Sequence, residues 1–352
     1  IWIVPIILVH LSCFLIASTQ RTLGIADWYQ HAIIAYIGSF VVYLLAQLPL
    51  LSLRKYILPV YFISILILIY VNFSGTSALG AQRWLTFAGL NIQPSEFAKI
   101  TLILLLASIL DQKRFSGLSD VIKPLLVSFC PWILVFLQPD LGTSLVFAAI
   151  LFGMLYWSGM PYEWSFIVLA TLVTALLACL YKIGLFIWIP IIGLLAYKSL
   201  PNKNILTLFV VSFHSLVAKI TPWFWSTLLK DYQRDRLITF VDPTQDPLGG
   251  GYHLLQSKIG IGSGGLIGTG LMQGQLTKLK FIPEQHTDFI FSVLGEETGF
   301  VGTLLVISLF TILIFRLIKI ALEARTDFES LVVIGIASMF IFQIMVNIFM
   351  TI

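Results

Sequence analysis

The sequence predicts an all-α, polytopic membrane protein. Hydrophobic residues make up 58% of the chain and charged residues only 11%, whereas a soluble domain has roughly 45–50% and about 25%. Apolar, nearly uncharged runs recur along the chain, for example at 57–71, 145–157 and 301–317. With its flanks, each is about long enough to cross ~30 Å of hydrocarbon. Such spans must be helical, because a lone segment in lipid has to satisfy its own backbone hydrogen bonds.

Taken in order, the apolar runs predict a bundle of about eleven transmembrane helices. The first run could be the core of a signal peptide, but it has no small-residue cleavage site and further spans follow it. We expect a single transmembrane domain over 1–352, shortened at both ends, with a large extracytoplasmic loop at 223–298. The spans are predicted at 1–18, 31–53, 56–72, 95–111, 122–138, 141–158, 164–181, 184–198, 205–222, 299–320 and 331–352.

The basic residues predict the orientation of the bundle. If the first span runs outward, the short loops rich in Lys and Arg all face the cytoplasm, as the positive-inside rule requires. The loops 19–30, 74–93 and 223–298 and the turn at 138–140 then face outward. The cytoplasmic basic residues are Arg54, Lys55, Lys113, Arg114, Lys198, Lys203, Arg316, Lys319 and Arg325.

Charge and cysteine usage exclude several classes of function. The net charge of +4 is spread over short loops, so no nucleic-acid partner is expected. Cys13, Cys130 and Cys179 lie in apolar runs without paired spacing, so we interpret them as small hydrophobes and predict neither a metal site nor a disulfide framework.

The candidate for chemistry that stands out first is Asp288, which lies where the long loop re-enters the membrane. A carboxylate there can act as a general base. Equally, Thr287 or Asp288 can cap the following helix, which is a common role for both residue types. His286 lies in the same stretch and is a candidate substrate ligand.

A second candidate is the pair formed by Glu96 and Lys99, which share one face at the start of a span. Charges facing lipid are costly, so such a pair usually points into a cavity or towards a functional site. The alternative is an ion pair at the headgroup level. Asp140, in the turn between two spans, is a candidate as well, and it can also serve simply as a helix N-cap.

Two cations on the outer face and a glycine-rich stretch are the remaining candidates for binding an anionic substrate. Arg83 and Lys258 can bind an anionic substrate, although single cations of this kind are more often headgroup anchors. The stretch 260–265 formally matches a dinucleotide fingerprint, but no strand precedes it. It can present backbone N–H groups to a phosphate, but a tight re-entrant bend is the favoured interpretation.

Several motifs in a fixed order resemble the SEDS family of bacterial cell-wall polymerases. The resemblance covers nearly the whole chain, and the segments 231–236 and 274–276 resemble the RodA-like elongation branch more than the division branch. The motifs are Gln-Arg-Trp at 82–84, Gln-Pro-Ser-Glu at 93–96, Gln-Pro-Asp-Leu-Gly-Thr at 138–143, Asp-Tyr-Gln-Arg at 231–234, Asp-Pro-Leu-Gly at 246–249, Gln-Ser at 256–257, Gly-Ser-Gly-Gly at 262–265 and the stretch 283–291.

The resemblance implies a peptidoglycan glycosyltransferase that extends glycan strands from lipid II and works with a class B penicillin-binding protein. The site would face outward from the bacterial cytoplasmic membrane, surrounded by membrane lipids. Asp288 would be catalytic, and Glu96, Lys99 and Asp140 would line the polar cavity. The region from Arg234 to Lys258 would form the loop over that cavity.

Two departures from the family pattern lead to further expectations. The family's C-terminal motif would lie beyond Ile352, so we expect this fragment to lack one span and part of its cavity. Between 159 and 231 the family usually has one span, whereas the hydropathy here predicts three.

Glycosyl transfer from a lipid pyrophosphate needs a base for the acceptor hydroxyl and positive charge for the leaving group. Asp288 is the predicted base, and Arg83, Lys99 and Lys258 are the candidates to hold the pyrophosphate. The need for a divalent cation stays open. The alternatives are a flippase for lipid-linked precursors, in which Glu96, Lys99 and Asp140 line the path, and a scaffold that only recruits the transpeptidase.

Overall fold

The computed structural model describes residues 2–20, 27–47, 50–78, 81–87, 90–111, 119–138, 140–227, 234, 250–282 and 284–352. Helices dominate these residues. They are α1 (Ile3–Gln20), α2 (Asp27–Leu45), α3 (Ile57–Ser74), α4 (Pro94–Leu110), α5 (Ser119–Leu137), α6 (Leu141–Trp157), α7 (Tyr162–Leu180), α8 (Leu185–Ser199), α9 (Lys203–Thr227), α10 (Gly250–Gly264), α11 (Gln275–Leu279), α12 (Ile290–Leu322) and α13 (Asp327–Thr351).

Each of the eleven predicted spans coincides with one of these helices, namely α1 to α9, α12 and α13. Among the described residues, eight helices are long and apolar enough to cross a membrane, and two shorter ones, Ile3–Thr19 and Gly142–Trp157, are also apolar. The predicted all-α polytopic membrane fold is therefore confirmed, and the chain is a multi-pass membrane protein.

The two boundaries that differ most from the prediction are the end of the second span and the start of the tenth. The second span was expected to reach residue 53, but α2 ends at Leu45 and a short 3-10 helix follows at Leu50–Tyr56. The sequence has a proline at position 49, and the residue before a proline disfavours helical backbone. The last outer loop was expected to end at residue 298, but α12 begins at Ile290 and passes through a kink at Gly299.

A small sheet interrupts the helical pattern in the loop between α3 and α4. Its strands are β1 (Thr76–Ala78), β2 (Ala81–Phe87) and β3 (Leu90–Ile92). They form an antiparallel sheet in the order β1-β2-β3. The sheet fixes the backbone of β2, which carries Arg83, one of the predicted site residues.

Helix α13 packs against α4, α6 and α12. A Cβ atom on Gly335 would lie 2.6 Å from Cγ2 of Ile103 on α4 and 2.9 Å from Sδ of Met154 on α6. Gly153 on α6 faces Ser338 in the same way. Small residues at such crossings let helix backbones approach closely in a membrane, so α13 packs closely on both α4 and α6.

Contacts at the helix ends show which ends lie together. Arg54 bonds Asp111, directly after α4, with Nη1 2.7 Å from Oδ2, and its guanidinium lies 5.4 Å from the ring centroid of Phe328 at the start of α13. Trp157, which ends α6, donates to Ser330 near the start of α13 at 2.9 Å. The starts of α4 and α6 therefore lie at the end of the bundle where α13 finishes, called the site end here.

The predicted additional pair of spans is present, because α7, α8 and α9 pack against one another. Trp164 donates to the carbonyl of Ser199 at 3.4 Å, which places the start of α7 beside the end of α8. Buried polar groups join the three helices: the Thr174 hydroxyl lies 2.7 Å from Nδ1 of His214 and accepts from Nε1 of Trp188 at 3.0 Å.

Backbone hydrogen bonds hold the chain between α10 and α11 against the kink of α12. The N–H of Thr269 donates to the carbonyl of Glu296, and the N–H of Phe300 donates to the carbonyl of Gly265, both at 2.9 Å. Gly268 has φ +88°, and a Cβ on it would lie 2.2 Å from the carbonyl oxygen of Glu297. This close approach needs glycine at position 268. Residues 260–264 belong to α10, so the tight bend predicted for 260–265 lies after most of that stretch instead of within it.

Candidate active site

Asp140 caps helix α6 at the site end. Its Oδ1 accepts from the backbone N–H of Thr143 at 3.1 Å, and its Oδ2 accepts from the Thr143 hydroxyl at 2.9 Å. The N-cap role, which the sequence left open, is thus present. Capping uses only part of the carboxylate, because each oxygen offers two lone pairs.

The same carboxylate holds two polar side chains from other elements. Oδ2 of Asp140 accepts from Nε2 of Gln93 at 3.1 Å and lies 3.9 Å from Nε of Arg83. That Nε donates to the backbone carbonyl of Gln138 at 3.1 Å. Strand β2, the start of α4 and the turn before α6 therefore meet here, and the 25% of the Arg83 side chain that is exposed leaves it accessible to an anion.

The Glu96–Lys99 pair lies on α4, directly after Gln93. Nζ of Lys99 lies 2.7 Å from Oε2 of Glu96, and the Lys99 side chain is 1% exposed whereas that of Glu96 is 50% exposed. The contact is an ion pair, although its angles fall outside hydrogen-bond geometry. The sequence left open whether this pair faces a cavity or lies exposed at the headgroup level. In the structure the ammonium group of Lys99 is buried, whereas the carboxylate of Glu96 reaches the surface of the bundle.

Asp288 lies in the turn 284–289 before α12, and its side chain is exposed. The N-cap position of α12 is Phe289, which has no side-chain cap bond. The Thr287 hydroxyl bonds the Glu284 carbonyl at 3.3 Å. The backbone carbonyl of Asp288 accepts from Nδ2 of Asn347 on α13 at 3.2 Å, so the end of α13 holds the turn in place.

Helix α10 also contacts this turn and the helix ends beside it. Its Ser257 hydroxyl lies 2.5 Å from the hydroxyl of Ser292 on α12 and donates to the carbonyl of Thr351 on α13 at 2.6 Å. The ring of His253 on α10 stacks on that of Phe289, with centroids 6.1 Å apart. Three helices therefore hold the backbone that carries the Asp288 carboxylate.

The predicted site residues form two groups at the site end of the bundle. Arg83, Asp140, Glu96 and Lys99 surround the starts of α4 and α6, whereas Asp288 lies beside the end of α13. Helix α13 packs on both α4 and α6 and bonds the Asp288 turn through Asn347. It therefore contacts both groups of residues. This is an arrangement in which a base and anion-binding groups can face one substrate.

The other predicted residues lie outside these contacts. Lys258 on α10 and His286 in the Asp288 turn are exposed, and within the described part of the chain neither has a hydrogen-bond partner. Arg234 is half-buried, but its neighbours lie outside the described residues. The described residues contain no group of three or more His, Cys, Asp or Glu side chains placed to hold a metal ion.

Two buried carboxylates, Glu296 and Glu297, were missed by the sequence reasoning. They are 1% and 2% exposed. Glu296 accepts from the backbone of α11, and Glu297 accepts from the hydroxyl of Ser18 on α1. Adjacent acids directly before a long apolar run are a recognisable signal, because intramembrane acids usually serve function. The sequence nevertheless predicts a loop up to residue 298, because these two charges interrupt the apolar run.

Comparison with known proteins identifies the family. The family model described as "Cell cycle protein" (FtsW/RodA/SpoVE) matches residues 1–187 and 183–352. Peptidoglycan glycosyltransferase MrdB of Escherichia coli (strain K12) is 35% identical over 312 residues, which cover 88% of this chain and 72% of that protein. Peptidoglycan glycosyltransferase RodA of Treponema pallidum (strain Nichols) is 34% identical over 316 residues, covering 82% and 72%.

Solved structures share the fold. One, described as "Structural coordination of polymerization and crosslinking by a peptidoglycan synthase complex", matches with a TM-score of 0.72 and 26% identity over 99% of this chain and 85% of that one. The crystal structure of Thermus thermophilus rod shape determining protein RodA matches with a TM-score of 0.61 and 23% identity over 98% and 82%. As the ordered motifs predicted, the chain belongs to the FtsW/RodA/SpoVE family of cell cycle proteins.

Proposed function

We propose that this peptidoglycan glycosyltransferase polymerises lipid II at the outer face of the bacterial cytoplasmic membrane, with Asp288 as its general base. The observation that carries the proposal is the position of Asp288. It is an exposed carboxylate on a turn that three helices hold in place, at the same end of the bundle as Arg83 and Lys99.

The chemistry assigns one role to the carboxylate. The 4-hydroxyl of the acceptor's N-acetylglucosamine attacks the anomeric carbon of the donor's N-acetylmuramic acid, with inversion. The new glycosidic bond forms as the bond to the pyrophosphate breaks, and the lipid pyrophosphate leaves. Asp288 accepts the hydroxyl proton, a contribution of ~10²–10⁴-fold to the rate for a positioned base.

The leaving pyrophosphate needs positive charge where its negative charge develops. Arg83 is partly neutralised by Asp140, 3.9 Å away, and Lys99 is buried beside Glu96. Lys258 is exposed on the helix that supports the Asp288 turn. We therefore assign direct contact with the pyrophosphate to Lys258. Arg83 and Lys99 contribute a positive electrostatic potential that favours anion binding at this end of the bundle.

The distribution of basic residues supports an outward-facing site. The end of the bundle opposite Asp288 carries basic residues in short connections and at helix ends, as expected for cytoplasmic loops. Asp288 would then act outside the cell, where glycan strands grow. These basic residues are Arg54, Lys55, Lys198, Lys203, Arg316, Lys319 and Arg325.

A class B penicillin-binding protein is the proposed partner, and cell elongation the proposed process. The solved complex that resembles this chain is described as coordinating polymerization and crosslinking. A polymerase supplies the strands that a transpeptidase crosslinks, so a partner of that class fits the proposed reaction.

The test is polymerisation of purified lipid II by the full-length protein in detergent. Asp288→Asn and Asp288→Ala should lose nearly all strand formation, because neither side chain can accept the proton. Glu284→Gln is the matched control, since Glu284 is an exposed carboxylate in the same turn, and it should keep most activity. Normal strands from Asp288→Asn would remove the catalytic role from this carboxylate.

Access to the site from each face of the membrane distinguishes a polymerase from a flippase. A flippase must expose its site to both faces in turn. In a background without Cys13, Cys130 and Cys179, a cysteine at Thr287 should react with a membrane-impermeant thiol reagent from outside only. A cysteine at Lys203 should react from inside only. Access to position 287 from the cytoplasmic face that changes with lipid II would support the flippase instead.

A further inference from the structure

Glu296 is a buried carboxylate whose side-chain hydrogen bonds, among the described residues, all come from the short helix α11. The side chain is 1% exposed, and its Oε1 accepts from the backbone N–H of Leu276 at 2.8 Å. Its Oε2 accepts from the backbone N–H of Thr277 at 3.0 Å and from the Thr277 hydroxyl at 2.6 Å. Hydrogen bonds to an ionised carboxylate are about twice as strong as neutral ones, so Glu296 fixes the start of α11.

Helix α11 is in turn bonded to the segment that carries Asp288. The backbone carbonyl of Thr277 accepts from Nε2 of Gln285 at 3.0 Å. Gln285 is 4% exposed and also donates to the carbonyl of Thr19 on α1 at 3.4 Å. Because Gln285 lies in the same turn as Asp288, the chain of bonds runs from Glu296 through Thr277 and Gln285 to the proposed base.

The chain before α11 also packs closely on Glu296. A Cβ on Gly274, directly before α11, would lie 2.8 Å from the carboxylate carbon of Glu296. The backbone carbonyl of Glu296 also accepts from the N–H and the hydroxyl of Thr269. Glu296 therefore holds α11 against α12. The segment 280–289 begins at α11 and ends where α12 starts, so both of its ends are fixed to α12.

From these contacts we infer that Glu296 is a positioning residue for Asp288. It does not touch substrate. It holds α11 against α12, and α11 holds Gln285, so that the turn 284–289 presents the Asp288 carboxylate in one orientation. The inference rests on the proposed function of Asp288 for its effect on rate, while its structural part concerns only how the turn is held.

The matched pair of variants is Glu296→Gln and Glu297→Gln. Both residues are buried on α12, but the hydrogen bonds of the Glu297 carboxylate come from Ser18 on α1 and from the backbone of Met272, before α11, so its substitution should disturb α11 less than Glu296→Gln does. In Glu296→Gln the amide N–H₂ must face backbone donors. Thr277→Val removes one donor to Glu296 and is the milder variant if Glu296→Gln does not fold. Thr277→Ser keeps the hydroxyl and should behave as wild type.

The experiment combines amide hydrogen exchange with kinetics on the full-length protein in nanodiscs. In Glu296→Gln, exchange should accelerate at residues 276–277 and across 284–289. Turnover per folded molecule should fall by about 10–100-fold, since misplacing a catalytic group by 1 Å can cost ~10²-fold. The lipid II concentration for half-maximal rate should stay near the wild-type value, because the groups proposed to bind the pyrophosphate are untouched.

Unchanged exchange across 284–289 in both Glu296→Gln and Thr277→Val would overturn the inference, as would equal acceleration in Glu297→Gln. Wild-type turnover in Glu296→Gln would overturn it too, provided that Asp288→Asn is inactive. If Asp288→Asn remains active, the proposed function fails, and the exchange data still decide whether Glu296 holds the turn.

Discussion

Removing the counter-charge of the buried ammonium group of Lys99 should destabilise the protein measurably. Within the described residues, Lys99 has its ion-pair partner in Glu96, with Nζ 2.7 Å from Oε2. The substitution Glu96→Gln keeps the shape of the side chain but removes its charge. The ammonium group of Lys99, 1% exposed, then stays in the bundle without a counter-charge.

The structure sets the expected magnitude between two limits. Losing one partner of a fully buried pair costs about 3–5 kcal/mol, whereas an exposed pair contributes about 0–1 kcal/mol. Glu96 is 50% exposed, so this pair is not fully buried and its cost lies between the two limits. We therefore expect Glu96→Gln to lower the free energy of unfolding by about 2 kcal/mol. Lys99→Met should cost much less, because it removes the buried charge and leaves only a half-exposed carboxylate.

The assay is a double-mutant cycle on protein in mixed micelles, with unfolding followed as denaturing detergent is increased. The double variant Glu96→Gln/Lys99→Met should be more stable than Glu96→Gln alone, since it no longer buries a charge. A stability of Glu96→Gln within about 0.5 kcal/mol of wild type, the range for ordinary surface changes, would show that Glu96 does not compensate a buried charge. A double variant as unstable as Glu96→Gln would show the same.

Three further outcomes follow from the packing and the site. Gly335→Ala should destabilise by about 1–3 kcal/mol through overpacking, because its Cβ would lie 2.6 Å from Cγ2 of Ile103; Gly142→Ala, which has no atom within 4 Å, should be nearly neutral in the same unfolding assay. Asp140→Ala should cost about 0.5–2 kcal/mol through the lost cap, and a stability equal to wild type would contradict that role. Lys258→Met should raise the lipid II concentration for half-maximal rate about tenfold, as expected for losing about 1.5 kcal/mol of charged contact; an unchanged value would exclude Lys258 from pyrophosphate binding.

Much of the fold could be predicted because a helix in lipid carries a strong local signal. The apolar runs gave eleven spans that coincide with helices, and residue type and position indicated the cap formed by Asp140. The spacing of Glu96 and Lys99 likewise predicted their ion pair. Each of these features depends on residues close together in the chain, so no tertiary information was needed.

The missed features depend on contacts between distant segments. The approach of Arg83 to Asp140 requires β2 to pack over the start of α6, and local hydropathy carries no information about that. The early start of α12 was missed because Glu296 and Glu297 lower the local hydropathy, although α11 and α1 cover them. A carboxylate whose hydrogen bonds come from another segment is polar in sequence and buried in structure.

The most direct test of the account compares lipid II binding with turnover in the full-length protein and its Asp288→Asn variant. Binding to protein in nanodiscs is measured at equilibrium, and turnover is measured from the initial rate of strand formation. A general base predicts a rate lower by ~10²–10⁴-fold with binding within a few-fold of wild type, because an amide keeps the size of the side chain but cannot accept the proton. A wild-type rate, or a loss of binding that accounts for the whole loss of rate, would contradict the role of Asp288 as the base.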